Sequence, residues 1–260
     1  MVVSLRLRDA INDLRAVITF FTVIPIGGSH DVSSALKSSW FAVIIVPPIT
    51  GLLPGLLGFY LRDVVHSDLL IASVSYAAVL MLTGLNHIDG FADVIDALMV
   101  RGSIEDRIRV LKDPHRGSAS IAMVVLLIII AVSASTNLVS VLWQSLFAAE
   151  IVSKASCCLC GLVGREPGYK GLGWLLTRYS KENGHLVITS TVVGFVIIYL
   201  LLGTMGVVAS LITLVLCLLL FMVIQRVLGG AVGDLYGFTL EVSRALILVI
   251  LVILMPLLIT

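Results

Sequence analysis

Charge is scarce in this sequence. Only 13% of its residues are Asp, Glu, Lys or Arg, about half of what a soluble domain carries. So few charges cannot cover a water-facing surface, which excludes a soluble globular fold. The formal net charge is +1 and no run of basic residues stands out, so no nucleic acid partner is expected. Cysteine is confined to Cys157, Cys158, Cys160 and Cys217. Cys157 and Cys160 form a CxxC, but they sit in an apolar segment with no second pair nearby. Buried packing is therefore expected there rather than zinc or redox chemistry. There is no internal repeat and no low-complexity linker, so the chain is read as one membrane-embedded domain, residues 1–260. The N-terminus begins like a signal peptide, with Arg6 and Arg8 before an apolar run. Asp9, Asp13 and Arg15 interrupt that run and no cleavage site follows, so it is read as part of the mature protein.

What the sequence has instead is apolar length. Hydrophobic residues make up 59% and the mean hydropathy is +1.12. Runs of about 18 or more apolar residues read as transmembrane helices. The fold class is therefore an all-α, polytopic integral membrane protein in a lipid bilayer. Leu7, Ile11, Leu14, Ile18 and Phe21 recur at alternating spacings of four and three, with Arg8, Asp9, Asn12, Asp13 and Arg15 off that stripe. This predicts an N-terminal amphipathic helix at the membrane surface, ended by Pro25, Gly27 and Gly28. A polar loop follows over residues 29–39.

About seven spans are expected. The first covers 40–61, kinked by Pro47, Pro48 and Pro54 and packed through Gly51 and Gly55. The second covers 69–85, the third 118–136, and the fourth runs to about Gly161. The fifth covers 185–202, turning over Gly203 to Gly206 into a sixth that ends near Ile224. The seventh follows a polar segment over 225–243. With seven spans, nearly every Lys and Arg falls on the side of the N-terminus; the opposite side carries only Arg62, and Lys154 lies within a span. By the positive-inside rule the charged segments face the cytoplasm, in a cell membrane.

Charge is concentrated in the segment 83–117, which holds six of the sixteen acids. Asp89, Asp93 and Asp96 are spaced four and three, so on a helix they share one face, with Asn86 near it. Carboxylates stacked this way repel one another. A divalent cation offsets that repulsion, and Mg²⁺ suits hard oxygen ligands that also meet substrate phosphates; the alternative is a solvated acidic face. Gly90 and Ala92 beside the acids leave room for a bulky ligand. His87 points away from the triad on an ideal helix and is open to three roles: base, phosphate ligand or interfacial histidine. Arg101, Arg107, Arg109 and Lys112 lead into a turn in which Asp113 and Arg116 are the expected functional pair, Arg116 for phosphate. Glu150 and Lys154, four apart within a span, either pair with each other or let Lys154 reach the site. Gly229, Gly230 and Gly233 allow close backbone approach to a ligand. Asp234 lies just beyond them, with Glu241 seven residues on and on the same helical face.

These residues together resemble the cobalamin synthase family, adenosylcobinamide-GDP ribazoletransferase. TGLNHIDGFADVID looks like that family's TGGxHxDGxADxxDG, LKDPHRG resembles its MxDSRxG, YKGLGW its GLG loop, and VLGGAVGDLYGFTLEV its LGGxTGDxxGAxxEL. FFTVIPI and the Pro/Gly-rich first span also fit. Leu85 and Ala97 stand where the family has glycine, and Pro114 where it has serine. The resemblance implies transfer of adenosylcobinamide phosphate from adenosylcobinamide-GDP to α-ribazole or its 5′-phosphate, with release of GMP. In that chemistry a ribose 5′-hydroxyl or similar oxygen attacks phosphorus. It implies Mg²⁺ on Asp89, Asp93 and Asp96, with Asp234 completing the shell. Asp113 or His87 is then the catalytic base, and Lys154, Arg116, Gly230 and Gly233 meet the substrate. A CDP-alcohol phosphotransferase and a cation transporter are the rival readings. A homo-oligomer is left open.

Overall fold

The structure, a computed structural model, describes residues 2–26 and 32–254. Gly27, Gly28, residues 255–260 and the side chains of Arg6, Leu7 and Arg8 lie outside the described residues. Among the described residues the chain is helical throughout, with no strand. The amphipathic stripe forms α1 (Val2–Phe21), with Val17 and Phe21 buried. Its end is tied down by the Val23 N–H donating to the Leu82 carbonyl (2.9 Å). The expected polar loop instead contains a short helix, α2 (Val32–Lys37). Its serines mask Ala35 and Leu36, which are buried.

The first span, Ser39–Leu61, includes α3 (Ala42–Pro47), a π-helical turn (Pro48–Leu52) and α4 (Leu53–Leu61). Proline lacks an N–H and clashes with the preceding turn, and the widened turn absorbs both defects. A Cβ on Gly55 would stand 2.4 Å from the Trp143 Cα, so the absence of a side chain lets this span lie directly on α9 (Leu142–Val163). Next come α5 (Asp68–Leu82) and α6 (Asn86–Met99), bent 89° from one another. The bend turns on Gly84 and Leu85, both with positive φ. The helix α7 (Ile104–Leu111) opens with a reciprocal cap between Ser103 and Asp106. α8 (Ser118–Asn137) is apolar on nearly every face and exposes Ile121, Leu126 and Ile129, as suits a lipid-facing helix.

α9 is the buried centre of the molecule. The first span, α11 (Gly184–Val227) and α12 (Gly233–Leu254) pack around it, and α10 (Leu172–Glu182) closes one end. Among the described residues, five helical spans are long and apolar enough to cross a membrane, or six if the bent α5–α6 pair counts as one. The sequence reading of about seven differs because α5 alone is short and α11, 44 residues in all, is counted once although it holds a break. α11 is broken at Gly203 (φ 63, ψ −159). A Cβ on Gly206 would lie 3.0 Å from Ile198 Cγ2, a contact that a straight helix cannot make across eight residues.

One expectation is corrected outright. The polar segment expected up to Ser243 before the last span is, from Gly233 on, part of the buried helix α12. It carries Glu241 and Arg244 into the interior, where both are fully buried. There Arg244 bonds Glu150 and Glu241, and Glu150 also accepts from Lys154 Nζ (2.5 Å) and from the Thr50 hydroxyl delivered by the π turn. Two acids and two bases form a neutral cluster, which is how ionised groups survive burial.

Candidate active site

The site is built where α6 meets α12. Gly90 and Gly237 face each other at the crossing: a Cβ on Gly90 would lie 2.9 Å from the Asp234 carbonyl oxygen and 3.3 Å from the Gly237 Cα. Gly90 therefore serves helix contact, and it also lies on the wall of the cavity described below. The contact brings Asp234 within electrostatic reach of Asp89 and Asp93.

The Arg116 guanidinium bridges the first two acids. Nη2 donates to Asp89 Oδ1 (2.5 Å), and Nη1 donates to Asp93 Oδ1. The Asp89 hydrogen bond holds the guanidinium above its usual range, more firmly protonated. Asp89 is exposed, whereas the Asp93 side chain is nearly covered.

Asp96 does something different. Its Oδ2 accepts from the Gly117 N–H (2.7 Å) and from the Ser120 hydroxyl (2.7 Å), and its Oδ1 from the Ser120 N–H (3.3 Å). These are orphan donors at the start of α8, so Asp96 caps that helix across 21 residues of chain. Gly117 has no room for a side chain: a Cβ there would meet Asp96 Oδ1 at 2.4 Å.

The other sequence-derived candidates are placed elsewhere. Asp113 is on an exposed loop; its Oδ1 accepts from the His115 N–H (2.9 Å) and pairs with His115 Nδ1 (2.8 Å), and these bonds hold its carboxyl below the usual range. Lys154 is in the buried ion cluster and is not brought to the carboxylates. His87 is buried in the first turn of α6 beside Phe21, with Nε2 lacking a hydrogen-bond partner. Gly229 (φ 76) and Gly230 (φ 151) adopt backbone angles that favour glycine. They pack on the chain, not toward the acids: a Cβ on Gly230 would stand 2.6 Å from the Pro167 Cα. Gly233 lies on the wall of the cavity described below. Arg107 donates to the Val227 carbonyl (3.4 Å), and Arg109 pairs with Asp106 (3.7 Å).

Two features escaped sequence reading. Tyr169 lies under Lys112, whose Nζ is 5.0 Å from the ring centroid, and within electrostatic reach of Asp234. Burial, then the Asp234 charge, raises its phenol above the ordinary range. Its only signal was an aromatic residue in a polar loop. The second is a cavity of about 410 Å³ between α1, α2, α6, α10 and α12, with Asn86, His87 and Asp234 on its wall. It is assembled from segments too distant in sequence to suggest it.

Residues 13–252 match the family model described as cobalamin-5-phosphate synthase. The chain belongs to this family. It is similar to an adenosylcobinamide-GDP ribazoletransferase of Pyrobaculum islandicum, 35% identical over 235 residues, 90% of this chain and 92% of the relative. The same name belongs to similar proteins of Pyrobaculum calidifontis, 35% identical over 89% of this chain and 94% of the relative, and of Methanosarcina barkeri, 26% identical over 92% and 90%. No solved structure matches. The cobalamin-5-phosphate synthase family thus takes the place of the phosphotransferase and transporter rivals.

The donor set can be tested for a metal. Among the described residues no three Asp, Glu, His or Cys side chains already form a metal-binding group, because Arg116 holds Asp89 and Asp93 and α8 holds Asp96. The chemistry of the rest nevertheless suits a hard divalent cation: Arg116 pairs with Asp89 and Asp93, and Asp234 is within electrostatic reach, so three carboxylates share one guanidinium charge.

Proposed function

We propose that this chain is a membrane-embedded adenosylcobinamide-GDP ribazoletransferase acting at the α6–α12 carboxylate site. The observation that carries this is the meeting of Asp89, Asp93 and Asp234 with Arg116 beside a cavity of nucleoside size. A ribose hydroxyl of α-ribazole, or of its 5′-phosphate, attacks the phosphorus that carries the cobinamide. A new P–O bond forms, the bond to GMP breaks, and the hydroxyl proton passes to an aspartate of the cluster. The family's name describes a product that keeps a 5′-phosphate, so the attacking oxygen is not the 5′ one. This narrows the sequence-based expectation of a 5′-hydroxyl or similar oxygen.

Mg²⁺ would be held by Asp89, Asp93 and Asp234, and when bound it neutralises the diphosphate. Asp96 is then a positioning residue for Arg116 and α8. With Asp89 and Asp93 engaged by Mg²⁺, Arg116 would be left to hold a phosphate. The break at Gly203 supports two crossings within α11, since a straight helix of that length would be about 66 Å, more than twice the hydrocarbon core. Together with α5 this restores seven crossings, and the positive charge near the site supports a cytoplasmic face of the cell membrane.

The test is turnover by detergent-solubilised protein with EDTA, then with Mg²⁺ restored. GMP and the corrinoid product should stop together and return together. Turnover indifferent to EDTA would overturn the metal assignment.

A further inference from the structure

The cavity beside Asp234 has a chemistry of its own. Its walls are mostly apolar, with Phe20, Phe21, Leu36, Leu176 and Leu240 among the lining side chains, and Thr19 and His87 beside them. Phe20 and Phe21 meet edge to face, ring centroids 5.0 Å apart, and offer an aromatic wall to a flat ring. Asn86 and Asp234 belong to the same lining, and Asp234 also belongs to the carboxylate cluster.

We propose that this cavity is the subsite for the flat heteroaromatic base of the acceptor nucleoside, with its sugar directed toward Asp234. The proposal rests on the transferase reading above and names where one of its two substrates binds. Size supports it: small-molecule sites run from about 300 to 1,000 Å³, and about 410 Å³ holds a nucleoside but not a corrinoid. The corrinoid of the donor must therefore stay outside. Polarity supports it as well. The base of ribazole is a bicyclic aromatic bearing two methyl groups, which suits apolar walls. Guanine, with polar groups on every edge, suits walls that are mostly apolar less well, even with Thr19, Asn86 and His87 among them. A sugar joined to a base in this cavity has its hydroxyls near Asp234, where the attack occurs.

The experiment is equilibrium binding to the detergent-solubilised full chain, without turnover. The ligands are α-ribazole, the riboside of the larger naphthimidazole, and adenosylcobinamide-GDP measured separately. Leu176 is buried on the cavity wall, so Leu176→Ala enlarges the space. It should shift the ratio of naphthimidazole riboside to α-ribazole binding about tenfold toward the larger base, the discrimination typical of a hydrophobic pocket. A gain of this kind cannot come from misfolding. Cys157 is also buried on the wall, and Cys157→Phe should weaken α-ribazole about tenfold and leave adenosylcobinamide-GDP unchanged. An unchanged base ratio in Leu176→Ala, as expected if a lipid chain fills the cavity, would overturn the proposal. So would a wild-type protein that does not bind α-ribazole, or loss of donor binding in place of acceptor binding. Wild-type protein that binds α-ribazole as expected but releases no GMP counts against the transferase reading alone.

Discussion

Replacing Leu85 with glycine should stabilise the protein. Leu85 has φ 60 and ψ 1, the left-handed region, at the bend that turns α5 into α6. A Cβ in that region crowds the following carbonyl oxygen and costs about 1–2 kcal/mol. Glycine removes this cost but gives back about 0.5–1 kcal/mol through the greater freedom of the unfolded chain. The side chain is 53% exposed, so little burial is lost. The balance is a gain of about 0.5–1 kcal/mol, or about 2 °C in Tm for a chain of this size. Thermal unfolding in detergent, followed by tryptophan fluorescence, measures it. Leu85→Ala is the control: it keeps the Cβ and should gain nothing. A glycine variant less stable than wild type, or an alanine variant that gains as much, would refute the strain argument. The family resemblance has glycine at this position, so the departure seen in the sequence coincides with a strained residue in the structure.

Three further outcomes are expected. Asp96→Ala removes the acceptor for Gly117 and Ser120 at the start of α8 and should cost about 1–2 kcal/mol, as losing a helix cap does; if Asp96 were instead a metal ligand, metal affinity would fall with little change in Tm. Gly90→Ala places a Cβ 2.9 Å from the Asp234 carbonyl oxygen and should cost about 1–3 kcal/mol by forcing α6 and α12 apart, seen as a lower Tm together with lower turnover. Lys154→Met leaves Glu150 short of a partner in the interior and should cost about 3 kcal/mol or more, while the KM for donor in the protein that folds stays the same; a raised donor KM would bring Lys154 back to the phosphate.

What was legible in the sequence was what depends on local pattern. The apolar runs gave the spanning helices, the stripe from Ile11 to Phe21 gave α1, and spacings of four and three put Asp89, Asp93 and Asp96 on one helix. Lys154 pairs with Glu150 because residues four apart on a helix are neighbours. What depends on distant segments was hidden. Nothing in the spacing of the triad separates Asp96 from Asp93, since their difference arises when Gly117 and Ser120 approach one and Arg116 the other. Arg244 read as a cytoplasmic charge because its partner Glu150 lies 94 residues away. Gly90 read as space for a ligand and does line the cavity, but its second contact, with Gly237, was hidden because Gly237 belongs to another helix. That the last span reaches back to Gly233 was missed because its first residues carry glycines and charge, and only burial against α6 and α9 makes them interior.

The most direct measurement is product formation by wild type and Asp93→Asn side by side, both purified in detergent and matched in Tm. Each is given adenosylcobinamide-GDP, α-ribazole or its 5′-phosphate, and Mg²⁺, with GMP and corrinoid product followed together. Wild type should form both in equal amounts, and Asp93→Asn should form neither above background. An Asp93→Asn protein that turns over at the wild-type rate would contradict the placement of the reaction at this carboxylate cluster.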